Sequence, residues 1–438
     1  MDVYLETLGC ARNQVDGETM GGRLKAAGWR IVDDPAAADV IVVNTCSFIE
    51  SAADESIDTI LALSRHKQTG RCRRLVVAGC LPQRYGSEIA AALPEVDLFL
   101  GTGAYDRIAA AVAGGLQPGA CLLPDPERHD ILQTPGRTPA VTHAAYLKIA
   151  EGCDRSCTYC IIPRLRGRHR SRPQELVLEE ARRLIAGGAR ELTLVAQEST
   201  AYGHDLSPPA SLAGLLAALA ALDSAVWVRF LYGHPASITP AVWQTIAEHD
   251  NLCPYFDIPV QHSAAPVLRR MGRRYTADDL LRLFDTIRAA VPAAALRTTL
   301  LVGFPGESET DYKHLLAFVD RVQFDHLGVF AYSDAEDIPA HRLPDPVEPR
   351  IARRRLNRLM NRQKAISRRN LSRQLDRRLT VMVEEPLEPG LYAARTMRQA
   401  PEVDGMTLVR SPSVLLPGHF VEVNIVDTLD YDLIGEPA

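Results

Sequence analysis

This sequence lacks an apolar run that is long enough to cross a membrane. The longest run, residues 212–222, spans eleven positions, whereas a membrane-spanning helix needs about twenty. The first ten residues, MDVYLETLGC, also lack the positively charged stretch and apolar segment of a secretory signal. We therefore expect a cytoplasmic protein with no membrane partner.

The sequence also lacks an excess of positive charge. Its 49 Lys and Arg are outnumbered by 54 Asp and Glu, for a net charge of −5, which excludes a protein that coats nucleic acid with its whole surface. Hydrophobic residues make up 46% and charged residues 24%, which excludes collagen-like, coiled-coil and wholly disordered chains. A length of 438 residues predicts about two to four globular domains.

Regions with different patterns follow one another along the chain. From residue 3 to about residue 115, short apolar runs alternate with helical stretches, which predicts a parallel α/β domain. Residues 116–143 are rich in proline and polar residues and have no helical or strand periodicity, which indicates a linker. We place the first domain at residues 1–117 and the linker at residues 118–138.

The second folded region, residues 139–370, repeats the alternation of strand and helix six times. The predicted strands are AAYLKIA, ELTLVAQ, VWVRFLYG, PYFDIPVQ, LRTTLLVGF and FDHLGVFAY. Six such units indicate a partial, open (βα)6 barrel rather than the closed eightfold barrel. Because ligands of such folds bind at the carboxyl ends of the strands, we expect functional residues there.

The last region, residues 371–438, contains short β-like runs separated by turn residues, which predicts a small antiparallel β-barrel. Residues 350–378, which lead into it, hold twelve Lys and Arg and one acid, Asp376. Residues 379–438 hold three Arg, no Lys and ten acids, for a net charge of −7. A strongly basic stretch is therefore followed by a strongly acidic one.

Three of the nine cysteines, Cys153, Cys157 and Cys160, share one loop after the first predicted strand of the second region. The cytosol keeps thiols reduced, so metal or redox chemistry is a better use for them than disulfides. Their C-x3-C-x2-C spacing lets three thiolates hold three corners of a 4Fe-4S cluster, which leaves the fourth iron open to a small molecule. A structural zinc site is the alternative, but no second cysteine pair or nearby His supplies its fourth ligand.

The loop EGCDRSCTYC resembles the signature of the radical S-adenosylmethionine (SAM) superfamily, in which an aromatic residue precedes the last cysteine. The resemblance implies that the amino and carboxylate groups of SAM bind the open iron. It also implies that one electron from the cluster cleaves SAM to a 5′-deoxyadenosyl radical, while the protein places SAM against the substrate.

The same resemblance implies positions for the residues that contact SAM. They are Tyr159 near the adenine, Gln197 and Glu198 near the methionyl end, and Gly303, Phe304, Pro305 and Gly306 in an adenine-side turn. Two structural alternatives stay open at this point. Residues 303–306 are equally consistent with an ordinary βα turn, and Glu198 with a residue that caps a helix.

Three further cysteines, Cys10, Cys46 and Cys80, each lie at or just after the end of a separate predicted strand of the first domain. Because the carboxyl ends of parallel strands share one edge of a sheet, we expect these thiols to converge there and to bind a second cluster. The alternative is that they are buried structural cysteines. We interpret the other three, Cys72, Cys121 and Cys253, as structural.

Two three-cysteine sites followed by a terminal β-barrel resemble the methylthiotransferase family over essentially the whole chain. The resemblance implies an N-terminal methylthiotransferase domain, a radical SAM core and a terminal TRAM domain. It implies a transferase with two 4Fe-4S clusters, in which the radical removes a hydrogen from an unactivated carbon, sulfur adds there, and a second SAM supplies the methyl group. We assign no catalytic acid or base, because hydrogen abstraction by a carbon radical depends on placement more than on proton transfer.

The family has a tRNA-modifying branch and a ribosomal-protein-modifying branch. The segments CSFIESA, GCLPQRYG, ALPEVDLFLGTG, CIIPRLRGRHRSRP and LVAQESTAYG resemble the second branch, whereas the first typically has Gln-Met-Asn after its first cysteine. One departure is Ala11-Arg12, where the second branch commonly has Pro-Lys; the positive charge is retained and the proline turn is not.

The resemblance to the second branch implies a substrate and several partners. The substrate is one aspartate of small-subunit ribosomal protein uS12, modified at its β-carbon either in the free protein or in the subunit. The partners are an electron donor and a sulfur source. The alternatives are a tRNA adenosine (C2) methylthiotransferase and a non-catalytic iron-sulfur sensor or adaptor.

The charge pattern favours a protein substrate over RNA. RNA binding depends on Lys and Arg that neutralise phosphates, so the acidic residues 379–438 repel RNA and complement a basic ribosomal protein. A solvated acidic face is the alternative. We expect the basic residues 350–378 to pair with acids of other domains or to face water, with ribosomal RNA contact as the secondary interpretation.

Overall fold

The computed structural model describes residues 1–115, 117, 119–128, 136–137, 139 and 143–438. The strands of its first part are β1 (Asp2–Thr7), β2 (Arg30–Ile31), β3 (Val40–Thr45), β4 (Arg74–Gly79), β5 (Leu98–Leu100) and β6 (Ala120–Leu122). They form one parallel sheet in the order β2-β1-β3-β4-β5-β6. The helices between them are α1 (Ala11–Ala26), α2 (Glu50–Ser64), α3 (His66–Thr69), α4 (Cys80–Tyr85), α5 (Glu88–Ala92) and α6 (Ile108–Ala113).

The central strand β3 is buried along its whole length, because helices cover both faces of the sheet, as is usual for parallel sheets. The predicted parallel α/β domain is therefore confirmed. The sequence pattern did not indicate β2, which has only two residues, or β6, which lies in the predicted linker and pairs with β5. Much of the rest of the predicted linker, residues 118–138, lies outside the described residues.

The second region contains β7 (Ala144–Lys148), β8 (Ala150–Glu151), β9 (Arg170–Ser171), β10 (Glu191–Val195), β11 (Trp227–Phe230), β12 (Tyr255–Asp257), β13 (Ala295–Val302) and β14 (His326–Ala331). Strands β8 and β9 form a small antiparallel pair, and the other six form two parallel sheets, β11-β10-β7 and β12-β13-β14. A parallel bridge between Val228 and Leu252 joins the two sheets. Within the described residues β7 and β14 do not pair, so the predicted partial, open (βα)6 barrel is confirmed.

Helices pack around this arc of strands. They are α7 (Ile162–Arg166), α8 (Gln174–Ala186), α9 (Leu212–Ala220), α10 (Pro240–Glu248), α11 (Ala265–Arg270), α12 (Ala277–Ala290), α13 (Glu309–Val322) and α14 (Pro349–Ser372). Helices α12 and α13 begin at capping boxes built by Thr276 with Asp279 and by Ser308 with Asp311, which satisfy backbone N–H groups of the first turn. None of the helices in the described part of the chain is both long and apolar enough to span a membrane.

The C-terminal strands are β15 (Arg378–Glu388), β16 (Leu391–Thr396), β17 (Thr407–Arg410), β18 (Phe420–Thr428) and β19 (Leu433–Pro437). They close into a barrel in the order β15-β16-β17-β19-β18. Four of its strand pairs are antiparallel, and β17 pairs with β19 in parallel. The predicted small barrel is confirmed, and the parallel pair is a detail that the sequence pattern did not indicate.

The barrel packs against the amino ends of the core strands. Trp227, Tyr255 and Ala295, the first residues of β11, β12 and β13, share a buried apolar cluster with Met382 and Ala400 of the barrel. The barrel therefore closes the amino end of the core.

The N-terminal domain packs near the opposite end of the same strands. Cys80, at the start of α4, shares a buried apolar cluster with Ile161 and Leu165, which follow the Cys160 loop. Arg84 of α4 forms an ion pair of 2.7 Å with Asp337, which follows β14. The cysteine-bearing edges of the two domains therefore face each other.

Candidate active site

The Cys153 loop follows β8, close to the carboxyl end of β7. The backbone N–H of Cys160 donates to the carbonyl of Cys157 at 3.0 Å, which makes the second half of the loop a tight turn. Gly152 precedes the loop at φ +77°, where a Cβ would lie 2.0 Å from the carbonyl oxygen of Arg168. Only glycine fits there, so the loop that carries the three cysteines is closely packed at its start.

The three thiols of this loop lie close enough to affect one another. Burial raises the pKa of Cys153 to about 11, with contributions from the Glu198 carboxylate and from Cys157. Burial also raises the pKa of Cys160 to about 12, with contributions from Cys157 and Cys153. Because metal binding displaces thiol protons and a cation compensates the repulsion between thiolates, this donor set suits an iron cluster.

Glu198 follows β10 and lies beside this loop. Its Oε2 is 3.9 Å from Sγ of Cys153; Arg155 donates to the two carboxylate oxygens at 2.8 and 2.7 Å, and Ser237 donates at 2.6 Å. Burial acts to raise the pKa of Glu198, but these donors outweigh it and lower the pKa to about 2. The side chain makes no capping bond to the helical turn that follows it, so the observed contacts of Glu198 are with the cysteine loop and Ser237.

Tyr159, the aromatic residue of the loop, is partly buried and packs against a buried apolar cluster that includes Phe304. Its hydroxyl accepts a hydrogen bond of 2.6 Å from Nη2 of Arg273, and its ring centroid is 6.4 Å from that of Phe304 in an edge-on arrangement. Burial raises the pKa of Tyr159 well above its ordinary value. The cysteine loop and the predicted adenine-side turn therefore meet where these two rings pack together.

Gly303, Phe304 and Pro305 lead from β13 into a tight βα turn, as one of the two interpretations of the sequence expects. The backbone N–H groups of Gly303 and Phe304 both donate to the carboxylate of Glu307. Gly303 has φ +75°, and a Cβ there would lie 2.3 Å from Cβ of Ala352 in α14. The turn thus requires glycine and is held against α14.

The second set of predicted cysteines, Cys10, Cys46 and Cys80, follows the carboxyl ends of β1, β3 and β4. Strands β1 and β3 are adjacent at the point where the strand order reverses, which is where parallel sheets form ligand crevices. At Gly9, with φ +92°, a Cβ would lie 2.5 Å from Cβ of Cys46. Burial raises the pKa of Cys46 to about 11, with contributions from Cys80 and Cys10, so these three thiols also lie close together.

Two arginines contact the thiols of this second set. Nη2 of Arg12 donates to Sγ of Cys10 at 3.5 Å, and Nη2 of Arg166 donates to Sγ of Cys80 at 3.5 Å. Burial acts to raise the pKa of Cys10, but Arg12 and Arg166 outweigh it and lower the pKa below its ordinary value. Positive charges and hydrogen bonds of this kind stabilise thiolate ligands and tune the potential of a bound cluster.

A buried ionic network connects the two cysteine sets. Arg166 of α7 pairs with Asp16 of α1 at 2.5 Å, and Lys148 pairs with both Asp16 and Glu151. The amide of Gln197 donates to Glu151. Gln197, predicted to lie near the methionyl end of SAM, is thus anchored to the network that joins the two domains.

Three arginines at this site were missed by the sequence interpretation: Arg155, Arg166 and Arg273. Arg155 had a usable signal, since it lies between two cysteines of the motif. Arg166 lies in the quoted segment CIIPRLRGRHRSRP, but its contact with Cys80 had no signal, nor did the contact of Arg273 with Tyr159, because these partners lie more than eighty residues apart in the chain. Among the cysteines interpreted as structural, Cys72 and Cys253 are buried and Cys121 lies in β6.

Three family models match successive parts of the chain. An uncharacterized protein family, UPF0004, matches residues 2–101, the radical SAM superfamily matches residues 147–319, and the TRAM domain matches residues 377–437. Among solved structures, the fold is similar to the radical SAM methyltransferase TsrM of Kitasatospora setae with cobalamin and a 4Fe-4S cluster bound. The TM-score is 0.58 at 15% identity, over 78% of this chain and 77% of that chain, so this similarity concerns the fold.

Two relatives are similar to this chain over its whole length or nearly so. The ribosomal protein uS12 methylthiotransferase RimO of Desulfosudis oleivorans is 54% identical over 438 residues, which cover 100% of both chains. RimO of Geobacter sulfurreducens is 48% identical over 99% of this chain and 98% of that protein. The chain therefore belongs to the RimO family of radical SAM methylthiotransferases.

Proposed function

We propose that this chain transfers a methylthio group to the β-carbon of one aspartate in small-subunit ribosomal protein uS12. One SAM is the source of the radical and a second SAM donates the methyl group. The observation that carries the proposal is that the two cysteine sets face each other, since Arg166, six residues after Cys160, reaches Sγ of Cys80 at 3.5 Å. This contact supports the proposal that a radical source and a sulfur-carrying site share the cleft between these two facing edges.

The proposed iron ligands are Cys153, Cys157 and Cys160 for the first 4Fe-4S cluster and Cys10, Cys46 and Cys80 for the second. When bound, the first cluster supplies the electron that cleaves SAM to a carbon radical, and the second carries or delivers sulfur. Arg12 and Arg166 compensate the negative charge of the second set. The packing of Gly9 against Cys46 leaves no room for a side chain beside that set.

For SAM we propose contacts that follow from the neighbours of the first set. The Glu198 carboxylate, ionised at neutral pH and 3.9 Å from Sγ of Cys153, suits the ammonium of the methionyl end. Tyr159 and the turn of Gly303, Phe304 and Pro305 suit the adenine, because the rings of Tyr159 and Phe304 pack edge-on beside the first cysteine set. Gln197, whose amide donates to Glu151, is the proposed second contact of the methionyl end of SAM.

The C-terminal barrel is the proposed docking surface for uS12. Of the fourteen exposed large apolar side chains among the described residues, eight are on this barrel, which also exposes Glu385, Glu388 and Asp427. An acidic surface with exposed apolar side chains complements a basic protein. The barrel packs on the core beside the amino ends of its strands, so uS12 would extend from there to the cleft.

The remaining proposals concern organisation and partners. We propose a methylthiotransferase domain at residues 1–117, a radical SAM core at residues 139–370 and a TRAM domain at residues 371–438. The reaction requires an electron donor and a sulfur source. A ribosomal substrate places the reaction in the cytoplasm.

The test of the function is a reaction with both classes of substrate present. The anaerobically reconstituted protein is incubated with SAM, a reductant, ribosomes and bulk tRNA, and mass spectrometry is run on the ribosomal proteins and the digested nucleosides. We expect a methylthio group on one aspartate of uS12. The same group on adenosine, with uS12 unchanged, would assign the enzyme to tRNA instead.

Two variants separate the roles of the cysteine sets. Cys157→Ala is expected to abolish reductive SAM cleavage, whereas Cys46→Ala is expected to retain cleavage and lose methylthio transfer. Cys121→Ala, in β6 and outside both sets, is the matched control and is expected to retain both activities. SAM cleavage that survives Cys157→Ala would contradict the assignment of the first cluster.

A further inference from the structure

Helix α14 carries exposed arginines along its solvent side. Five of them form the arginine ridge: Arg353, Arg354, Arg358, Arg369 and Arg373, the last at the residue that ends the helix. The helix has 24 residues, so it extends for about 36 Å at 1.5 Å per residue. The ridge thus places two groups of exposed positive charge, one near each end of this helix, on a chain whose net charge is negative.

The ridge differs from the other basic side chains of the same helix. Those others are paired within the protein: Arg350 with Glu348, Arg355 with Glu307, Arg362 with Asp320, and Lys364 and Arg368 with Asp430. Part of the basic segment therefore pairs with acids of other elements, as the sequence analysis expects. The five ridge arginines form no ion pair with any described residue, so their guanidiniums are available to a partner.

The position of the ridge connects it to the candidate active site. Ala352, which precedes the first ridge residue, packs directly against Gly303, since a Cβ at Gly303 would lie 2.3 Å from Cβ of Ala352. One end of the ridge therefore lies at the carboxyl end of β13, beside the proposed SAM site. Near the other end, Arg368 pairs with Asp430 of the acidic barrel, so the ridge runs from the active-site edge to the proposed uS12 docking surface.

We propose that the arginine ridge binds the phosphate backbone of ribosomal RNA next to uS12 when the enzyme acts on the small subunit. This inference rests on the proposed function, because it takes uS12 as the substrate. A ribosomal protein in its subunit presents a basic surface with phosphates around it, so a matching enzyme needs an acidic surface and a basic one. The barrel provides the acidic surface and the arginine ridge provides the basic surface.

The chemistry of the ridge favours RNA over an acidic protein. Guanidinium groups bind phosphate oxygens through two parallel hydrogen bonds and stay charged at all relevant pH values. The exposed arginines form two groups, residues 353–358 near the start of the helix and residues 369–373 at its end, so they offer donors to phosphates at two separated points of a nucleic-acid backbone. Such contacts carry no sequence information, so the ridge adds affinity and orientation, and specificity stays with uS12.

The test compares two triple variants of the full, anaerobically reconstituted chain. The ridge variant is Arg353→Gln, Arg354→Gln and Arg358→Gln. The matched control is Arg65→Gln, Arg182→Gln and Arg190→Gln, which removes the same charge from exposed positions elsewhere. Binding to isolated small subunits and to free uS12 is measured between about 50 and 200 mM salt, the range over which phosphate contacts weaken strongly.

We expect the ridge variant to bind small subunits about tenfold more weakly than wild type. The slope of log affinity against log salt concentration should be less steep by about 2 to 3, because each of the three lost phosphate contacts lowers it by about 0.7 to 0.9. Its affinity for free uS12 and its SAM cleavage are expected to stay at the wild-type level, and the control is expected to match wild type throughout. An unchanged affinity and slope on small subunits would overturn the proposal, and so would an equal loss on free uS12. Failure of the proposed function is a separate result: small subunits are bound and uS12 gains no methylthio group.

Discussion

Glu191 is the residue at which a single substitution should loosen the C-terminal barrel from the core. It begins β10 and is fully buried, and its carboxylate pairs with the equally buried Arg229 of β11. It also pairs at 2.8 Å with Arg395 of the barrel, whose side chain is 5% exposed. The substitution Glu191→Gln would leave the buried guanidinium of Arg229 without a counter-charge and would leave Arg395 with Glu384 as its remaining acidic partner.

The size of the effect follows from the pKa of Glu191. Burial acts to raise this pKa, but Arg229 and Arg395 outweigh it and lower it from 4.5 to about 2. A shift of that size corresponds to about 3 kcal/mol of stabilisation by the charged form, at about 1.4 kcal/mol per unit. Breaking a buried ion pair costs a similar amount, about 3 to 5 kcal/mol. We therefore expect Glu191→Gln to lower the free energy of unfolding by about 3 to 5 kcal/mol.

Trp227 is a suitable reporter for this experiment, because it lies at the same interface with its ring centroid 4.7 Å from that of Phe420. Urea unfolding is followed by Trp227 fluorescence in a background in which the two other tryptophans are replaced by Phe. The control is Glu179→Gln, since Glu179 and Arg183 are half-exposed or more and such pairs contribute less than about 1 kcal/mol. The reasoning is refuted if Glu191→Gln and Glu179→Gln unfold at the same urea concentration.

The pH dependence of the same interface has a defined sign. Because the pKa of Glu191 is lower in the folded protein than its ordinary 4.5, its stabilisation is complete above about pH 4.5 and is lost as the pH falls towards 2. The urea midpoint of the parent protein should fall through this window. In Glu191→Gln this part of the pH dependence should be absent.

Further predictions concern the candidate active site. Arg12→Gln removes a charged donor to Cys10. The midpoint potential of the second cluster should therefore fall by about 65 to 130 mV in an EPR-monitored titration, which is equivalent to about 1.5 to 3 kcal/mol. An unchanged potential would exclude a role of Arg12 in stabilising the reduced cluster. Gly303→Ala places a Cβ 2.3 Å from Cβ of Ala352, so SAM binding measured by equilibrium dialysis should weaken. The control is Gly188→Ala, at a glycine with φ +108° and no atom within 4 Å of the added Cβ. This control should lower stability by only about 1 to 2 kcal/mol and leave SAM binding intact. Because the pKa of Glu198 is about 2, SAM affinity should not change through titration of this group between pH 5 and 8, and Glu198→Gln should lower affinity equally across that range.

The larger elements of the fold follow from the sequence because they depend on local patterns. Strand β13, Ala295–Val302, has eight residues, and the helix that follows it begins at a capping box of Ser308 and Asp311, so the boundaries of these elements are encoded in nearby residues. Strand β2, Arg30–Ile31, could not be predicted, since two residues carry no periodicity. Strand β6, Ala120–Leu122, lies in a proline-rich segment and exists because its neighbour β5 offers a free edge.

The positions of the cysteines were predictable for a similar reason. Parallel strands end at a common edge, so a cysteine after each of β1, β3 and β4 is placed by topology alone. Arg166, which faces Cys80, was not predictable as its partner, because the two residues meet across an interface between domains. Sequence spacing contains no information about such a contact.

The contacts that the sequence did not predict share a physical feature that bears on function. The interfaces on both ends of the core are joined by buried charges, Arg166 with Asp16 on one side and Arg395 with Glu191 on the other. A buried ion pair stabilises only when both partners are in place, and an unpaired charge is strongly unfavourable. We infer that these pairs also require the domains to dock in one arrangement, because any other arrangement would leave a buried charge unpaired. For a reaction in which a carbon radical and a sulfur donor must meet the same atom, that fixed arrangement is what the two proposed cluster sites need and what their cysteines cannot provide themselves.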